Sequence, residues 1–195
     1  MILRSTLLFL FAFATVYAQT TTAPTVRFKT TLGDIDVLLL PGSAPETVKN
    51  FLRYMNKKAY DNSVFHRSVR GFIIQGGGFS AALPNLSAIP ADPPVVNEYR
   101  ESSIRGTLAM AKLGDYPNSA TNQWFFNLGD NTGSLDPYGN FSPFGTVVEG
   151  MEVVDKLNGE YGEQPTQSRI SSSGNEYLQR QFPALDYIKS ARVVP

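Results

Sequence analysis

Apolar and polar residues alternate with a period of two along much of the chain, a pattern typical of strands with one buried face. Residues 25–30 and 33–40 are two such runs, and the turn at 31–33 predicts that they pair as a β-hairpin. Further short apolar runs, separated by Pro, Gly, Asn and Asp, predict strands at residues 64–69, 72–75, 106–111, 123–128, 144–148 and 186–194. Many short strands with turn residues between them predict a β-barrel or a β-sandwich.

Two segments have the helical period instead. In the first, the apolar residues follow the spacing i, i+3, i+4 and i+7, at Val48, Phe51, Leu52 and Met55. We predict an amphipathic helix that begins after an N-cap at Ser43 and ends near Lys58, and a second, short helix at residues 150–157. Residues 158–175 are polar and rich in Ser, Gly and Gln, which predicts a long surface loop, followed by a helical turn at 176–180.

Length and composition indicate one globular domain. The 195 residues are 42% hydrophobic and 12% aromatic, which is enough for one sizeable core and short for two. The 17 Lys and Arg residues balance 17 Asp and Glu residues, so the chain lacks the basic field that gathers nucleic acid, and we expect no nucleic-acid partner. Cysteine is absent, which excludes disulfides, thiol catalysis and zinc sites built on cysteine.

The N-terminus predicts export through the secretory pathway. Residues 1–18 have one positive charge, then an apolar run, then a small-residue pattern at 16–18. We interpret them as a cleaved signal peptide, with residues 19–195 as the mature domain and no membrane attachment after cleavage. The alternative, a membrane-spanning anchor, needs about 20 apolar residues, and this run is far shorter. Asn85 and Asn140 fit the N-glycosylation pattern, a triplet that is common by chance.

The candidate chemistry lies in residues 65–79, where arginine and glutamine stand among large apolar side chains on two predicted strands. Taken alone, Arg67 would be interpreted as a solvated surface arginine. Strand alternation also predicts two pairs of residues that share a face: Ile73 with Gln75, and Gln123 with Phe125. This combination suits binding of an apolar group beside a polarisable amide. It does not suit hydrolysis, because no nucleophile and base lie close together.

Other polar residues have structural interpretations. His66 is the only histidine, which excludes a histidine metal cluster, and alternation points it away from Arg67, so we expect it to be packed and hydrogen-bonded inside the fold. Residues 76–78 are glycines without the Lys and hydroxyl of a P-loop, and they predict a turn where backbones approach closely. Trp124 is predicted to lie in the core. Four carboxylates are interpreted as surface charges rather than as acid–base catalysts: Asp34, Asp36, Glu98 and Glu101.

Several motifs resemble those of a known family. The cyclophilins, which are peptidyl-prolyl cis-trans isomerases, resemble this chain in the segments 65–79 (FHRSVRGFIIQGGGF), 106–111 (GTLAMA), 118–128 (NSATNQWFFNL) and 144–151 (FGTVVEGM). The Ser-Ala-Thr before the glutamine and the tail at 161–163 and 174–178 are similar to bacterial-type members. The resemblance covers residues 25–194 and implies a mainly β fold, a closed eight-stranded antiparallel barrel capped by two α-helices, with isomerase activity toward X-Pro bonds.

The resemblance also implies roles for individual residues, and Arg67 matches the catalytic arginine. The residues that match the hydrophobic proline pocket are Phe72, Ile73, Phe125 and Leu135, and those that match the groove holding the peptide backbone are Gln75, Ala111 and Gln123. Phe72 is out of phase with Ile73, so its place in the pocket follows from the resemblance and needs a twist at Gly71. No cofactor or metal is implied, because isomerisation neither makes nor breaks a covalent bond.

Two departures from the family pattern affect the expected ligands. Ser134 stands where cyclosporin-sensitive cyclophilins have tryptophan. Phe141, which we also expect to bind substrate, falls roughly where many members have histidine. We expect weak cyclosporin binding with turnover of proline peptides retained. The implied partners are proline-containing peptides and unfolded exported proteins, bound by a monomer. Two alternatives stay open: a non-catalytic module that holds proline-containing segments, and a barrel around a small apolar ligand, which aromatic-rich strands disfavour.

Overall fold

The computed structural model describes residues 23–81, 87–137 and 140–195, so the predicted signal peptide 1–18 and Asn85 lie outside the described residues. The strands are β1 Thr25–Thr30, β2 Asp34–Leu39, β3 Ser63–Val64, β4 Arg67–Val69, β5 Ile73–Gly76, β6 Phe79–Ser80, β7 Ser87–Ala88, β8 Thr107–Met110, β9 Trp124–Asn127, β10 Pro143–Glu149 and β11 Tyr187–Val194. The helices are α1 Pro45–Asn56, α2 Thr132–Leu135, α3 Met151–Lys156 and α4 Gln167–Gln181. Both predicted helices are confirmed, as α1 and α3.

All these strands belong to one antiparallel sheet, in the order β4-β5-β9-β8-β10-β2-β1-β11-β3-β6-β7. The mainly β fold is confirmed, and so is the predicted β1–β2 hairpin, in which Thr25 is opposite Leu38 and Lys29 is opposite Asp34. The closed eight-stranded barrel that the resemblance implies is not confirmed. The sheet instead has 11 strands and curls into a half-barrel, with a few helices beside it.

The predicted strand at residues 64–69 is divided, because the chain changes partners in the middle of it. β3 pairs with β11, whereas β4 pairs with β5. Between them, the Phe65 N–H donates to the Asp186 carbonyl at 3.0 Å, and the His66 N–H donates to the Gln75 carbonyl at 3.1 Å. This change of partner directs Arg67 toward β5, where the candidate glutamine lies.

Aromatic side chains fill the interior between the curled sheet and α1. Trp124 on β9 is fully buried, with its ring centroid 5.0 Å from that of Phe28 and 5.4 Å from that of Phe126. Phe51 of α1 reaches the same cluster, 5.0 Å from Phe144. Aromatic pairs of this kind each contribute about 0.5–1.5 kcal/mol beyond area burial. The prediction that Trp124 lies in the core is confirmed, and its strand neighbours therefore face the other side of the sheet.

A carboxylate from a distant loop holds the N-terminus of α1, which has no side-chain cap of its own. Glu98 accepts the backbone N–H groups of Glu46 and Thr47, at 3.2 and 2.8 Å. The hydroxyl of Ser43 donates to Glu101 instead of to the helix. The predicted N-cap at Ser43 is therefore wrong. Glu98 and Glu101 are half-buried and hydrogen-bonded, which corrects their interpretation as surface charges.

Asp36 also departs from the predicted surface position. The residue is only 8% exposed, and its carboxylate accepts hydrogen bonds from Nε of Arg27 at 2.7 Å and from Nη2 at 2.6 Å. Hydrogen bonding to Arg27 holds the pKa of Asp36 below its usual range. Asp34, by contrast, is exposed as predicted. Period-two alternation on its own did not identify the cross-strand arginine that allows a carboxylate to be buried.

The C-terminal segment contains more helix than predicted. α4 covers much of the predicted loop 158–175 and all of the predicted turn at 176–180. Gly174, at φ +57° and ψ −149°, interrupts this helix. The apolar residues on either side of it therefore do not follow one continuous helical spacing, which is the signal that would have predicted a helix. The buried side chains of α4 join a small separate core: Val64, Phe79, Ile170, Tyr177, Leu178 and Leu185. We call residues 158–182 the C-terminal lobe.

Candidate active site

Strand register places the candidate polar residues side by side on the face of the sheet opposite Trp124. Arg67 on β4 is opposite Gln75 on β5, and Gln75 is opposite Phe125 on β9. Nη1 of Arg67 lies 3.4 Å from Oε1 of Gln75, which is a long hydrogen bond. Nε2 of Gln75 donates to Oε1 of Gln123 at 2.7 Å. The predicted arginine and both predicted glutamines thus form one hydrogen-bonded row.

These side chains border a cleft of about 520 Å³. Eight of the nine predicted site residues line it: Arg67, Phe72, Ile73, Gln75, Ala111, Phe125, Leu135 and Phe141. Gln123 lies at the edge of the cleft and is joined to it by the hydrogen bond from Gln75. The lining residues that sequence reasoning did not place in the site are His66, Lys112, Glu163, Pro165, Thr166 and Gln167. Four of these belong to the C-terminal lobe.

The floor of the cleft is apolar. Ile73 and Phe125 line it, at 3% and 2% exposure, and the fully buried Ala109 packs against them. The half-buried side chains that pack against this floor are Phe72, Ala111, Leu135 and Phe141. Ala109 was missed by sequence reasoning, although it alternates with Ala111 and lies opposite Phe125 in the β8–β9 register. An apolar floor beside a row of polar side chains can hold a small hydrocarbon ring next to an amide.

Two pocket residues reach the cleft through local backbone geometry. Gly71 has φ +69° and turns the chain between β4 and β5, so that Phe72 lines the same cleft as Ile73 although the two are out of phase. Leu135 ends α2, a one-turn helix that the apolar pattern did not predict. Nδ2 of Asn131, the residue before α2, donates to the Phe72 carbonyl at 2.9 Å and ties this helix to the pocket.

A carboxylate of the C-terminal lobe pairs with the candidate catalytic arginine. Nε of Arg67 donates to Oε2 of Glu163 at 2.6 Å, and Nη2 donates to Oε1 at 2.7 Å. This hydrogen bonding holds the pKa of Glu163 below its usual range. The side chains of Arg67 and Glu163 are 26% and 64% exposed, so the pair is partly screened by water. The residues are 96 positions apart, and no sequence spacing indicated the contact.

A second residue of the lobe extends the row of amides. Nε2 of Gln123 donates to Oε1 of Gln167 at 2.9 Å. The hydrogen-bonded row therefore runs from Glu163 through Arg67, Gln75 and Gln123 to Gln167, and both ends lie on the lobe. The lobe forms one wall of the cleft as a result.

His66 contributes no charge to this site. Its ring is fully buried and meets the ring of Phe79 edge-on, with centroids 5.1 Å apart. Burial lowers the pKa of His66 to about 4, so the imidazole is neutral at neutral pH. The predicted packing is confirmed. Neither ring nitrogen makes a hydrogen bond of standard geometry among the described residues, but the Gln123 side chain and the Val64 backbone lie near the ring and raise its pKa against the larger effect of burial.

The glycines at 76–78 behave as predicted for a close backbone approach. Gly77 has φ +79°, and a Cβ there would lie 2.5 Å from the Asn122 carbonyl oxygen. At Gly78, a Cβ would lie 3.0 Å from the side-chain amide of Gln123. The absence of side chains in this turn lets the Gln123 side chain lie close to the backbone at Gly78, next to Gln75.

A second cleft, of about 670 Å³, lies next to Ser68 and is lined mostly by polar and charged residues, among them Arg70, Arg105, Asp155 and Lys156. It lacks the buried apolar floor of the first cleft, so it suits a proline ring less well. Within residues 23–81, 87–137 and 140–195, no group of three or more His, Asp or Glu side chains could hold a metal ion. Among the helices of the same ranges, none has both the length and the apolar character needed to cross a bilayer.

Known proteins resemble this chain in sequence and in fold. Residues 25–175 match the family described as cyclophilin type peptidyl-prolyl cis-trans isomerase/CLD. The chain is 44% identical over 142 residues to peptidyl-prolyl cis-trans isomerase B of Escherichia coli, with 69% of this chain and 84% of that protein covered. It is 40% identical over 159 residues to peptidyl-prolyl cis-trans isomerase A of Dickeya dadantii, with 78% and 80% covered.

A solved structure shows the same fold at lower sequence identity. It is a cyclophilin type peptidyl-prolyl cis-trans isomerase of Cryptosporidium parvum, crystallised in the presence of the dipeptide Ala-Pro. The TM-score is 0.65 at 23% identity, with 88% of this chain and 99% of that chain covered. The family match extends over well more than half of the chain, and the bacterial relatives agree with it along most of their own length. This chain therefore belongs to the cyclophilin-type peptidyl-prolyl cis-trans isomerases.

Proposed function

We propose that this chain accelerates cis–trans rotation about X-Pro bonds in exported client proteins, with Arg67 as the catalytic residue. The observation that supports this proposal most directly is the position of the Arg67 guanidinium, which lines the same cleft as the apolar floor of Ile73 and Phe125. Export rests on the predicted signal peptide at 1–18. The proposed enzyme acts as a monomer on proline-containing peptides and unfolded clients, without a cofactor or metal.

The reaction needs only stabilisation of a twisted amide. The cis and trans forms of an X-Pro bond differ by about 0.5–1 kcal/mol, yet a barrier of about 18–20 kcal/mol separates them because rotation breaks amide resonance. In the twisted state the prolyl nitrogen becomes pyramidal, and its lone pair accepts a hydrogen bond. A fixed donor at that position stabilises the transition state more than either planar state.

Arg67 is suited to be that donor. A guanidinium is a positively charged donor, and charge-assisted hydrogen bonds are stronger than neutral ones. Glu163 occupies one N–H on Nε and one on Nη2, whereas Nη1 makes only the 3.4 Å contact with Gln75. Nη1 therefore has donor capacity left for a prolyl nitrogen.

The other site residues hold the peptide in this proposal. The proline ring lies on the apolar floor, between Phe72, Leu135 and Phe141, while the preceding carbonyl turns. Each side-chain amide of Gln75 and Gln123 uses one N–H within the row and keeps a second for the peptide backbone. The Ala111 N–H already donates to the Gln123 carbonyl at 2.9 Å, so a contact from Ala111 to a peptide backbone uses its carbonyl.

A prolyl isomerase assay on residues 19–195, with and without cyclosporin, tests the proposed function. We expect catalysed isomerisation of an Ala-Pro-Phe peptide and weak inhibition by cyclosporin, since Ser134 is a small exposed residue on α2 where sensitive members have tryptophan. Binding of the peptide without acceleration of isomerisation would contradict catalysis and favour the non-catalytic binding module.

We further propose that β3 and β4 act as one bent strand that closes the sheet. The Phe65 and His66 N–H groups support this proposal, because they donate to the β11 side and to β5 respectively. Counting β3 and β4 as one strand leaves eight strands in the ring, with β6 and β7 attached to it. Amide hydrogen exchange tests the closure: Phe65 and His66 should be protected as strongly as β9, and fast exchange would indicate an open edge.

A further inference from the structure

The C-terminal lobe has its own small core, which fixes its position on the sheet. Ile170, Tyr177 and Leu178 of α4 are at most 6% exposed and belong to the same cluster as Val64 and Phe79. Tyr161 and Phe182 also meet ring to ring, with centroids 5.0 Å apart at 89°, so the two ends of the lobe contact each other. A packed element of this kind can hold a side chain at a defined place, unlike a solvated loop.

The loop of the lobe that precedes α4 is attached to the strand of the candidate catalytic residue. The Ser68 N–H on β4 donates to the Gly162 carbonyl at 3.1 Å. This backbone bond joins the residue after Arg67 to the residue before Glu163. The side chains of Arg67 and Glu163 are thereby brought together, and two hydrogen bonds join them.

The geometry of this ion pair leaves the outer end of the arginine available. Glu163 approaches the guanidinium from the side, through Nε at 2.6 Å and Nη2 at 2.7 Å, and does not contact Nη1. Bidentate pairing fixes the plane of a guanidinium, because both donors must point at the two carboxylate oxygens. The long contact from Nη1 to Gln75, at 3.4 Å, cannot fix that plane alone.

We propose that Glu163 is a positioning residue, which orients the Arg67 guanidinium so that Nη1 points at the prolyl nitrogen. The C-terminal lobe is then part of the catalytic apparatus and not an appendage of the fold. This inference rests on the proposed function, since it assigns the orientation of the same arginine. Glu163 acts through Arg67 and need not touch the substrate.

The substitution Glu163→Gln tests the proposal, because it keeps the size of the side chain and removes its charge and one acceptor. We expect kcat to fall about 10-fold, as for the loss of a group that orients another. The Kd for the same Ala-Pro-Phe peptide should stay within about two-fold, because ground-state contacts are kept. Two-dimensional exchange NMR at saturating peptide measures the catalysed rate without a coupling protease, and an NMR titration measures Kd.

Two further readouts separate positioning from a structural role. In an Arg67→Ala background, Glu163→Gln should cause no further loss of rate, because its effect passes through the arginine. The Nε–H resonance of Arg67 in a ¹H–¹⁵N spectrum should shift in Glu163→Gln. The thermal midpoint should stay within about 2 °C, since a partly exposed pair contributes little to stability. Glu160→Gln, an exposed carboxylate in the same loop, is the matched control and should change none of these readouts.

The outcomes distinguish this proposal from the proposed function. If Glu163→Gln has the parent kcat while Arg67→Ala has lost activity, Glu163 is not a positioning residue and the proposed function stands. Equal losses from Glu163→Gln in both backgrounds would also overturn the positioning role. If Arg67→Ala itself has the parent rate, the assignment of Arg67 fails and the role of Glu163 fails with it.

Discussion

The ring of Phe141 meets the ring of Phe125 edge-on, with centroids 5.4 Å apart and an interplanar angle of 83°. Phe125 is a buried residue of β9, whereas Phe141 precedes β10 and is half-buried. Nζ of Lys112 lies 4.8 Å from the centroid of the Phe141 ring. One wall of the candidate pocket is thus formed by Phe141, a loop residue that lies between the Phe125 ring and Lys112.

We predict that Phe141→Ala raises KM for an Ala-Pro-Phe peptide about 10-fold and changes kcat by less than about two-fold. The substitution removes an apolar contact worth about 1.5 kcal/mol, which stabilises the bound proline ring equally in the ground and transition states. Steady-state isomerisation over a range of peptide concentrations separates the two constants. Phe141→Leu keeps most of the apolar area and should stay close to the parent. A fall in kcat at constant KM would show that Phe141 acts in the chemical step.

Arg67→Ala should lower the rate of isomerisation about 100- to 1,000-fold, the usual cost of removing one preorganised donor. The circular dichroism spectrum should remain that of the parent, since Arg67 lies at a cleft and not in the core. Arg70→Ala, three residues further along and lining the other cleft, is the matched control and should keep the parent rate. An Arg67→Ala variant as active as the parent would refute the assignment.

The burial of His66 predicts loss of stability in mild acid. The pKa of His66 is lowered to about 4 in the folded chain from its ordinary 6.5, so between these pH values the unfolded state binds more protons. The contribution of neutral His66 to the free energy of unfolding is therefore fully present above pH 6.5. It is lost as the pH decreases to 4, by an amount on the order of 3 kcal/mol. Urea unfolding at several pH values measures this loss.

A His66→Phe variant should show a nearly flat stability between pH 6.5 and about 5, because the titrating group is gone. The carboxylates with lowered pKa, such as Asp36 and Glu163, affect stability as the pH falls further, through their ordinary values of 3.8 and 4.5. A parent-like slope in the variant would assign the acid sensitivity to another group.

Glu98→Ala should destabilise the fold by about 1–2 kcal/mol, the usual cost of losing a helix N-cap acceptor. The Glu98 carboxylate accepts the N–H groups of Glu46 and Thr47 and also the Thr47 hydroxyl, at 2.8 Å. Fluorescence of Trp124, the only tryptophan and fully buried, reports unfolding in urea. Ser43→Ala, at the residue that sequence reasoning took for the cap, should cost less than Glu98→Ala.

Local patterns determined much of the fold and of the candidate site. The period-two alternation predicted the β1–β2 hairpin. It also predicted that Arg67 and His66 point to different faces of the sheet, because side-chain direction in a strand depends only on position along it. The helical spacing predicted α1, since its apolar residues repeat within a few positions. The same rule predicted that Ile73 shares a face with Gln75, and that Gln123 shares a face with Phe125. The motifs in these strands then indicated the family.

The features that the sequence left undetermined depend on residues that are distant in the chain. Glu163 pairs with Arg67 across 96 positions, and Glu98 caps α1 across 51, so no local spacing indicates either contact. α4 is stabilised by packing on Val64 and Phe79, while its own sequence is polar and is interrupted at Gly174. The sequence by itself indicated most of the strands, the main helix and the candidate catalytic residue. The tertiary structure decided which carboxylate holds that residue, because long-range partners are set by how the strands and the lobe pack together.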